Sequence, residues 1–210
     1  MRLVSILGLA AAAAPFVLSA PALAAPDNLG FETGTLSGWI ASGEAFPTPT
    51  ISNSDGGSFD AAAEGELFGV ITAGQGMGVY STLSHSFTLN AGGTISGYAG
   101  FLANDYLPFN DDAYLSVNGV NLLAWDVVGV GDYNASGWVH FSFVAPVAGI
   151  YTLQLGVTNR NDNSMSSQAV IDGVQVTGEA PEAASWAMMV LGFGFAGTAL
   201  RTRTRRVSFG

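Results

Sequence analysis

Between residues 25 and 178 the chain carries fourteen Asp and Glu side chains, and Arg160 is the only basic residue set against them; lysine occurs nowhere in the sequence. Two histidines, His85 and His140, complete the short inventory of groups able to move a proton near neutral pH, and there is no cysteine. Both histidines lie in alternating, strand-like runs, which places them on strand faces and not at a reacting centre. No Gly-x-Ser-x-Gly elbow, phosphate loop or His-x-x-x-His pair is present. Asp111-Asp112 would serve glycoside hydrolysis only if the two acids flanked one bond, and adjacent loop residues do not show that arrangement. The expectation is a protein that is not an enzyme.

Two other chemistries remain. Asp105, Asp111 and Asp112 bracket the loop Tyr106-Leu107-Pro108-Phe109-Asn110. Hard carboxylate oxygens in a loop suit Ca²⁺, but simple solvation is the favoured reading of this cluster. Sugar binding needs aromatic platforms with polar neighbours, and Tyr106, Phe109, Trp125 and Tyr133 are the candidates, with Asp111 and Asp112 beside them. Trp39 and Trp138 each follow a glycine at a strand start and are assigned to the core. A surface this acidic repels nucleic acid and anionic lipid and suits cations or neutral partners.

The elements that must position these groups are short. Alternating runs recur at Leu67–Ile71, His85–Leu89, Thr94–Phe101, Tyr114–Val117, Trp138–Val144, Ile150–Val157 and Gln168–Val176, separated by Gly-rich and Asn/Asp-rich segments. Asn118-Gly119 stands between two runs and reads as a two-residue hairpin turn, because both positions tolerate positive φ. The pattern predicts an all-β fold, an antiparallel β-sandwich, with a β-barrel as the alternative. About 150 residues suffice for one domain with its own core.

Two segments frame this domain. Asn28-Leu29-Gly30-Phe31-Glu32-Thr33-Gly34 with Leu36-Ser37-Gly38-Trp39 opens it. Gly137-Trp138, then Gly149-Ile150-Tyr151-Thr152-Leu153 through Asn159, then Ile171-Asp172-Gly173-Val174 close it. This frame resembles the galactose-binding-like jelly rolls of carbohydrate-binding modules. The resemblance implies a jelly-roll sandwich and a structural Ca²⁺ joining the first and last strands, carried onto Glu32 and Asp172, with Asp27 as a further ligand.

The ends of the chain read differently. Arg2, an apolar stretch from Leu3 to Leu18 and Ala22-Leu23-Ala24 form the three parts of a secretory signal peptide, with cleavage expected after Ala24. Pro181-Glu182-Ala183-Ala184-Ser185-Trp186, then Gly192-Phe193-Gly194, then Arg201, Arg203, Arg205 and Arg206 resemble the sorting signal of PEP-CTERM proteins. The second proline of that family's motif is replaced here by Ala183. The resemblance implies an exosortase-type membrane protease as a partner alongside signal peptidase, and a cell-envelope, exopolysaccharide or biofilm setting. Independently, the eighteen uncharged residues from Ala183 to Leu200 would span about 27 Å as a helix, near the thickness of a bilayer core. The arginines would stay inside by the positive-inside rule, with Trp186 at the outer interface.

The expected organisation is therefore a signal helix over 1–24, a β-sandwich over 25–178, and a tail over 179–210: linker 179–182, membrane helix 183–200, basic end 201–210. The protein is expected to be exported, tethered in the inner membrane by its tail, and then placed at the cell surface or outside. The main functional expectation is a surface or matrix component; the alternative is a module that binds exopolysaccharide.

Overall fold

A computed structural model describes residues 28–179 and 189–194 of the chain. The proposed signal peptide, Asp27, Pro181, Glu182, Trp186 and the four terminal arginines lie outside the described residues. So does most of the 183–200 segment; within it, residues 189–194 are helical, and Gly192, Phe193 and Gly194 fall there, with Phe193 exposed. Among the described residues no helix is long and apolar enough to cross a membrane.

The domain is antiparallel β throughout, in the order β1 (Ile40–Ser42), β2 (Glu44–Thr48), β3 (Ile51–Ser52), β4 (Ser58–Phe59), β5 (Phe68–Thr72), β6 (Ser81–Leu102), β7 (Asp112–Val117), β8 (Val120–Asp126), the single helical turn α1 (Val127–Val130), β9 (Val139–Val144), β10 (Gly149–Thr158) and β11 (Gln168–Glu179). The antiparallel all-β expectation holds, and the arrangement is sandwich-like. The runs His85–Leu89 and Thr94–Phe101, read from sequence as separate strands, are one strand of 22 residues. Its first half pairs with β1 and β10, and its second half with β9 and β11. One layer thus runs β1-β6-β10-β7-β8, and the other β2-β5-β11-β6-β9.

The corner between the halves is made by glycine. Gly92 takes φ +82°, and a methyl group on Gly178 of β11 would sit 2.8 Å from the Cα of Gly93, so neither crossing backbone tolerates a side chain there. The hairpin turn expected at Asn118-Gly119 joins β7 to β8, with φ +49° and +78°.

Strand alternation sends Leu83, Phe87, Leu89, Ile95 and Ala99 of β6, Leu115 of β7, Leu153 and Leu155 of β10, and Ile171 of β11 into one core between the layers. β5 and β11 are apolar on both faces. Ile71 and Ile171 face that core, whereas Phe68, Val70 and Val170 form a second cluster with Phe59 and Leu102. The β3–β4 hairpin and Trp138 cover that second cluster. The Trp138 ring stands edge-on to Phe59 at 4.9 Å and to Phe68 at 5.3 Å.

The opening motif plugs one end of the main core. Asn28 donates through Nδ2 to the Thr35 carbonyl at 2.7 Å and accepts Thr33 N–H at 3.1 Å, curling the segment on itself. Trp39 donates Nε1–H to the Asn28 carbonyl at 3.1 Å and stacks on Phe31 at 5.0 Å. Phe31 holds a left-handed φ of +61°, a costly conformation for an aromatic residue, and it is fully buried. Burying its ring offsets that strain.

Candidate functional site

β7 begins at Asp112, and its alternate residues Asp112, Tyr114 and Ser116 face away from the core. β10 sends Thr152, Gln154, Gly156 and Thr158 to the same side, since Gln154 is the register partner of Ser116 and Gly156 that of Tyr114. The first half of β6 adds Thr82, Ser84 and Ser86, opposite Gly156, Gln154 and Thr152. The middle of this outer face is therefore mostly hydroxyl and amide, with Ile40 of β1 and Ile150 of β10 exposed on the same side toward its margins. Ser86 and Thr152 join across the ladder at 2.8 Å.

Aromatic rings rise at one edge of this polar face. Tyr114 lies over Gly156, where an added Cβ would come within 2.5 Å of the ring, and its hydroxyl donates to Gln154 Oε1 at 2.7 Å. Tyr80 meets Tyr114 edge-on at 4.9 Å. With Trp125, Asn110, Asn121, Asp112 and Asp126 they line a cleft of about 610 Å³ beside β8 and α1.

The charged groups of the cleft are already committed. Asp112 accepts from the Arg160 guanidinium and from the Tyr80 hydroxyl, and Arg160 Nη2 donates to that hydroxyl at 3.0 Å. The Arg160 guanidinium also sits 5.6 Å from the centre of the Tyr80 ring. Burial, reinforced by the hydrogen bond to Asp112, pushes the Tyr80 phenol up to about 12. Asp126 caps α1 through Gly129 N–H at 2.7 Å and accepts Asn110 Nδ2 at 3.2 Å. Asp112 and Asp126 are register partners across β7 and β8. What the cleft offers is fixed ring surface and oriented polar groups.

Of the expected ligand-binding residues, Asp112 and Trp125 line this cleft, and Trp125, the register partner of buried Ala113, also packs against the main core. The others are not. Tyr106, Phe109 and Tyr133 cluster with one another on the loops, Tyr106 lying 5.4 Å from Phe109 and 5.5 Å from Tyr133. Tyr133 lines a smaller cleft of about 230 Å³. Asp111 turns inward and is fully buried, because consecutive residues entering a strand point to opposite sides. Tyr80, Tyr114 and Arg160 were missed by sequence reasoning. Tyr114 carried a usable signal, as the aromatic residue on the polar face of its alternating run.

Of the residues expected to hold Ca²⁺, Glu32 and Asp172 lie on either side of Gly30. Gly30 separates them, since an added Cβ there would lie 3.9 Å from Glu32 Cγ and 4.0 Å from Asp172 Oδ1. Both tie down the loop before β5. Asp172 accepts Glu64 N–H at 2.8 Å and Gly173 N–H at 2.6 Å, while Glu32 Oε1 accepts the N–H groups of Glu66 at 3.0 Å and Leu67 at 3.2 Å. Asp172 is fully buried, and burial pushes its carboxyl up to about 6, with the Glu32 charge adding to the rise. Arg160, the only basic residue of the domain, is engaged at Asp112. Among the described residues no three His, Cys, Asp or Glu side chains converge on a metal position.

No protein-family model matches the chain, and no curated protein matches it. Solved structures similar to it include TmCBM61 in complex with β-1,4-galactotriose, at 17% identity and a TM-score of 0.44, covering 73% of this chain and 97% of that one. The tandem CBM22-1-CBM22-2 domain from Paenibacillus barcinonensis Xyn10C is similar at 20% identity and a TM-score of 0.43, covering 73% of this chain and 45% of that one. A cyclase from Fischerella sp. TAU is similar at 13% identity and a TM-score of 0.43, covering 74% of this chain and 96% of that one.

Proposed function

We propose that the chain is a non-enzymatic glycan-binding module and that the cleft lined by Tyr80, Tyr114 and Trp125 is where it takes sugar. The observation that carries this reading is the Tyr114 ring held over Gly156, at the edge of a sheet face made of Ser, Thr and Gln. Sugar rings present apolar C–H faces and a rim of hydroxyls. An aromatic platform beside fixed hydroxyl and amide groups matches both, and its preset geometry lowers the ordering cost of binding. With Asp112 neutralised by Arg160 and Asp126 acidic, a neutral glycan fits better than a polyuronate.

Export and surface sorting belong to the same proposal. The sequence of the first 24 residues and the Pro181-Glu182 to Arg206 tail support delivery to the envelope by signal peptidase and an exosortase-type protease. A glycan-binding domain released there would hold exopolysaccharide. A structural Ca²⁺ at Glu32 and Asp172 belongs to it too: two carboxylates with no cationic partner among the described residues supply hard oxygen donors, and carbonyl and water oxygens would complete the shell.

The test is affinity electrophoresis of the full chain through gels containing neutral or acidic polysaccharides. Retardation by a neutral polymer that is lost in Trp125→Ala supports the reading. Equal mobility in every gel overturns it.

A further inference from the structure

The loop end of the sandwich holds buried oxygens that nothing in the protein satisfies. Asp105 and Asn159 are each 1% exposed, and Asp105 Oδ2 and Asn159 Oδ1 have no hydrogen-bond partner. Asn104 Oδ1 is buried and bare as well. The Asn104 amide is fixed in orientation because its Nδ2 donates to the Ser166 carbonyl at 2.9 Å, and Asn159 Nδ2 lies 3.0 Å from Ser166 Oγ. Both amides thus reach the same serine. Asp111 joins them: it accepts Ser167 Oγ at 2.7 Å and Arg160 N–H at 2.8 Å, and Ser167 Oγ in turn accepts Asn104 N–H at 3.1 Å.

We propose that Asp105 and Asp111, with the amide oxygens of Asn104 and Asn159, hold a Ca²⁺ ion beneath these loops, at a site separate from Glu32 and Asp172. All three bare atoms are acceptors. A water brings only two protons, whereas a cation held between the loops would take lone pairs from several such oxygens. Two carboxylates balance one divalent charge, and a mixture of carboxylate and amide oxygens from loops is what Ca²⁺ accepts and Mg²⁺ resists. The field of the cluster agrees. Burial pushes both carboxyls up, with Asp162 adding to the rise at Asp105 and Asp105 adding to the rise at Asp111. The smaller cleft, lined by Asn104, Ser166 and Tyr133, gives an ion a route in from solvent. The ion would pin the 103–111 loop to the 159–167 loop, next to Asp112 and Arg160 of the larger cleft.

The test is calorimetric Ca²⁺ titration of the full chain after EDTA treatment, read as differences between variants. For an extracellular module a Kd on the order of 10⁻⁴ to 10⁻³ M is expected. Asp105→Asn removes a charge at constant shape and is expected to weaken this binding at least about tenfold, or 1.4 kcal/mol. Asn159→Asp adds a carboxylate oxygen and is expected to tighten it several-fold. Should Asp105→Asn fail to fold, Asn159→Asp decides alone. Glu32→Gln leaves this site unchanged. The proposal is overturned if the wild type shows no saturable Ca²⁺ binding, if Asn159→Asp does not tighten it, or if only Glu32→Gln weakens it.

Discussion

The Tyr114 ring lies on Gly156 of the neighbouring strand, close enough that even a methyl group on Gly156 would meet it at 2.5 Å. The glycine is what allows the ring to lie down on the sheet, and Gln154 then fixes its hydroxyl. Gly156→Ala is expected to lift the ring, because the far end of a side chain yields more easily than the backbone. Glycan affinity should fall by about 1 to 2 kcal/mol, roughly five- to thirtyfold, while thermal unfolding shows that the domain remains folded. Unchanged affinity would mean that the ring is not a platform.

Asp112 stands between Arg160 and Tyr80 and raises the Tyr80 phenol, although burial is the larger cause. Ultraviolet titration of Asp112→Asn should therefore show one tyrosine ionising at lower pH than in the wild type, yet still above the ordinary value near 10. No movement of any tyrosine would contradict the contact.

Asp172 gives a pH dependence whose sign is opposite to that of a salt-bridged carboxylate. Its folded value of about 6 lies above its ordinary 3.8, so between these values the folded state binds more proton than the unfolded state. Without metal, stability from this group is full below about pH 4 and is lost as pH rises through 6, a cost on the order of 3 kcal/mol. Asp172→Asn in EDTA should flatten that fall. Millimolar Ca²⁺ at Glu32 and Asp172 favours the ionised form, so its stabilising effect should grow from pH 4 to 7. Thermal unfolding against pH, with and without Ca²⁺, checks both. A Ca²⁺ effect that is equal at both pH values would contradict the site.

Processing is expected to leave Ala25 as the first residue of exported protein, read by mass spectrometry. Deleting residues 186–210 should release the domain from membranes into the medium. An intact Met1 on envelope material, or membrane association of the truncated form, would contradict the export and tail readings respectively.

Much of the framework was legible because it rests on local rules. Asn118-Gly119 dictates its hairpin through positive φ, and alternation in Ile150–Val157 marks the buried face of β10. Glu32 and Asp172 were paired only through resemblance, and the structure brings them to either side of Gly30. β6 was read as two strands because Gly92-Gly93 resembles a turn; there it makes a corner that keeps the inward register of both halves. The cleft was harder to read. Tyr80, Asp112 and Arg160 meet across separations of 32 to 80 residues, which no local pattern encodes. Asp111 and Asp112 could have been parted in advance, since neighbours in a strand cannot share a face.

The central claim is that rings at the edge of the β7–β10 face bind sugar, and the most direct measurement is a glycan array probed with the full chain, Tyr114→Ala and Trp125→Ala. The expected result is saturable binding of neutral glycans by the wild type, with both variants folded and weakened about tenfold or more. Absence of saturable binding by the wild type, or equal binding by all three proteins, would contradict it.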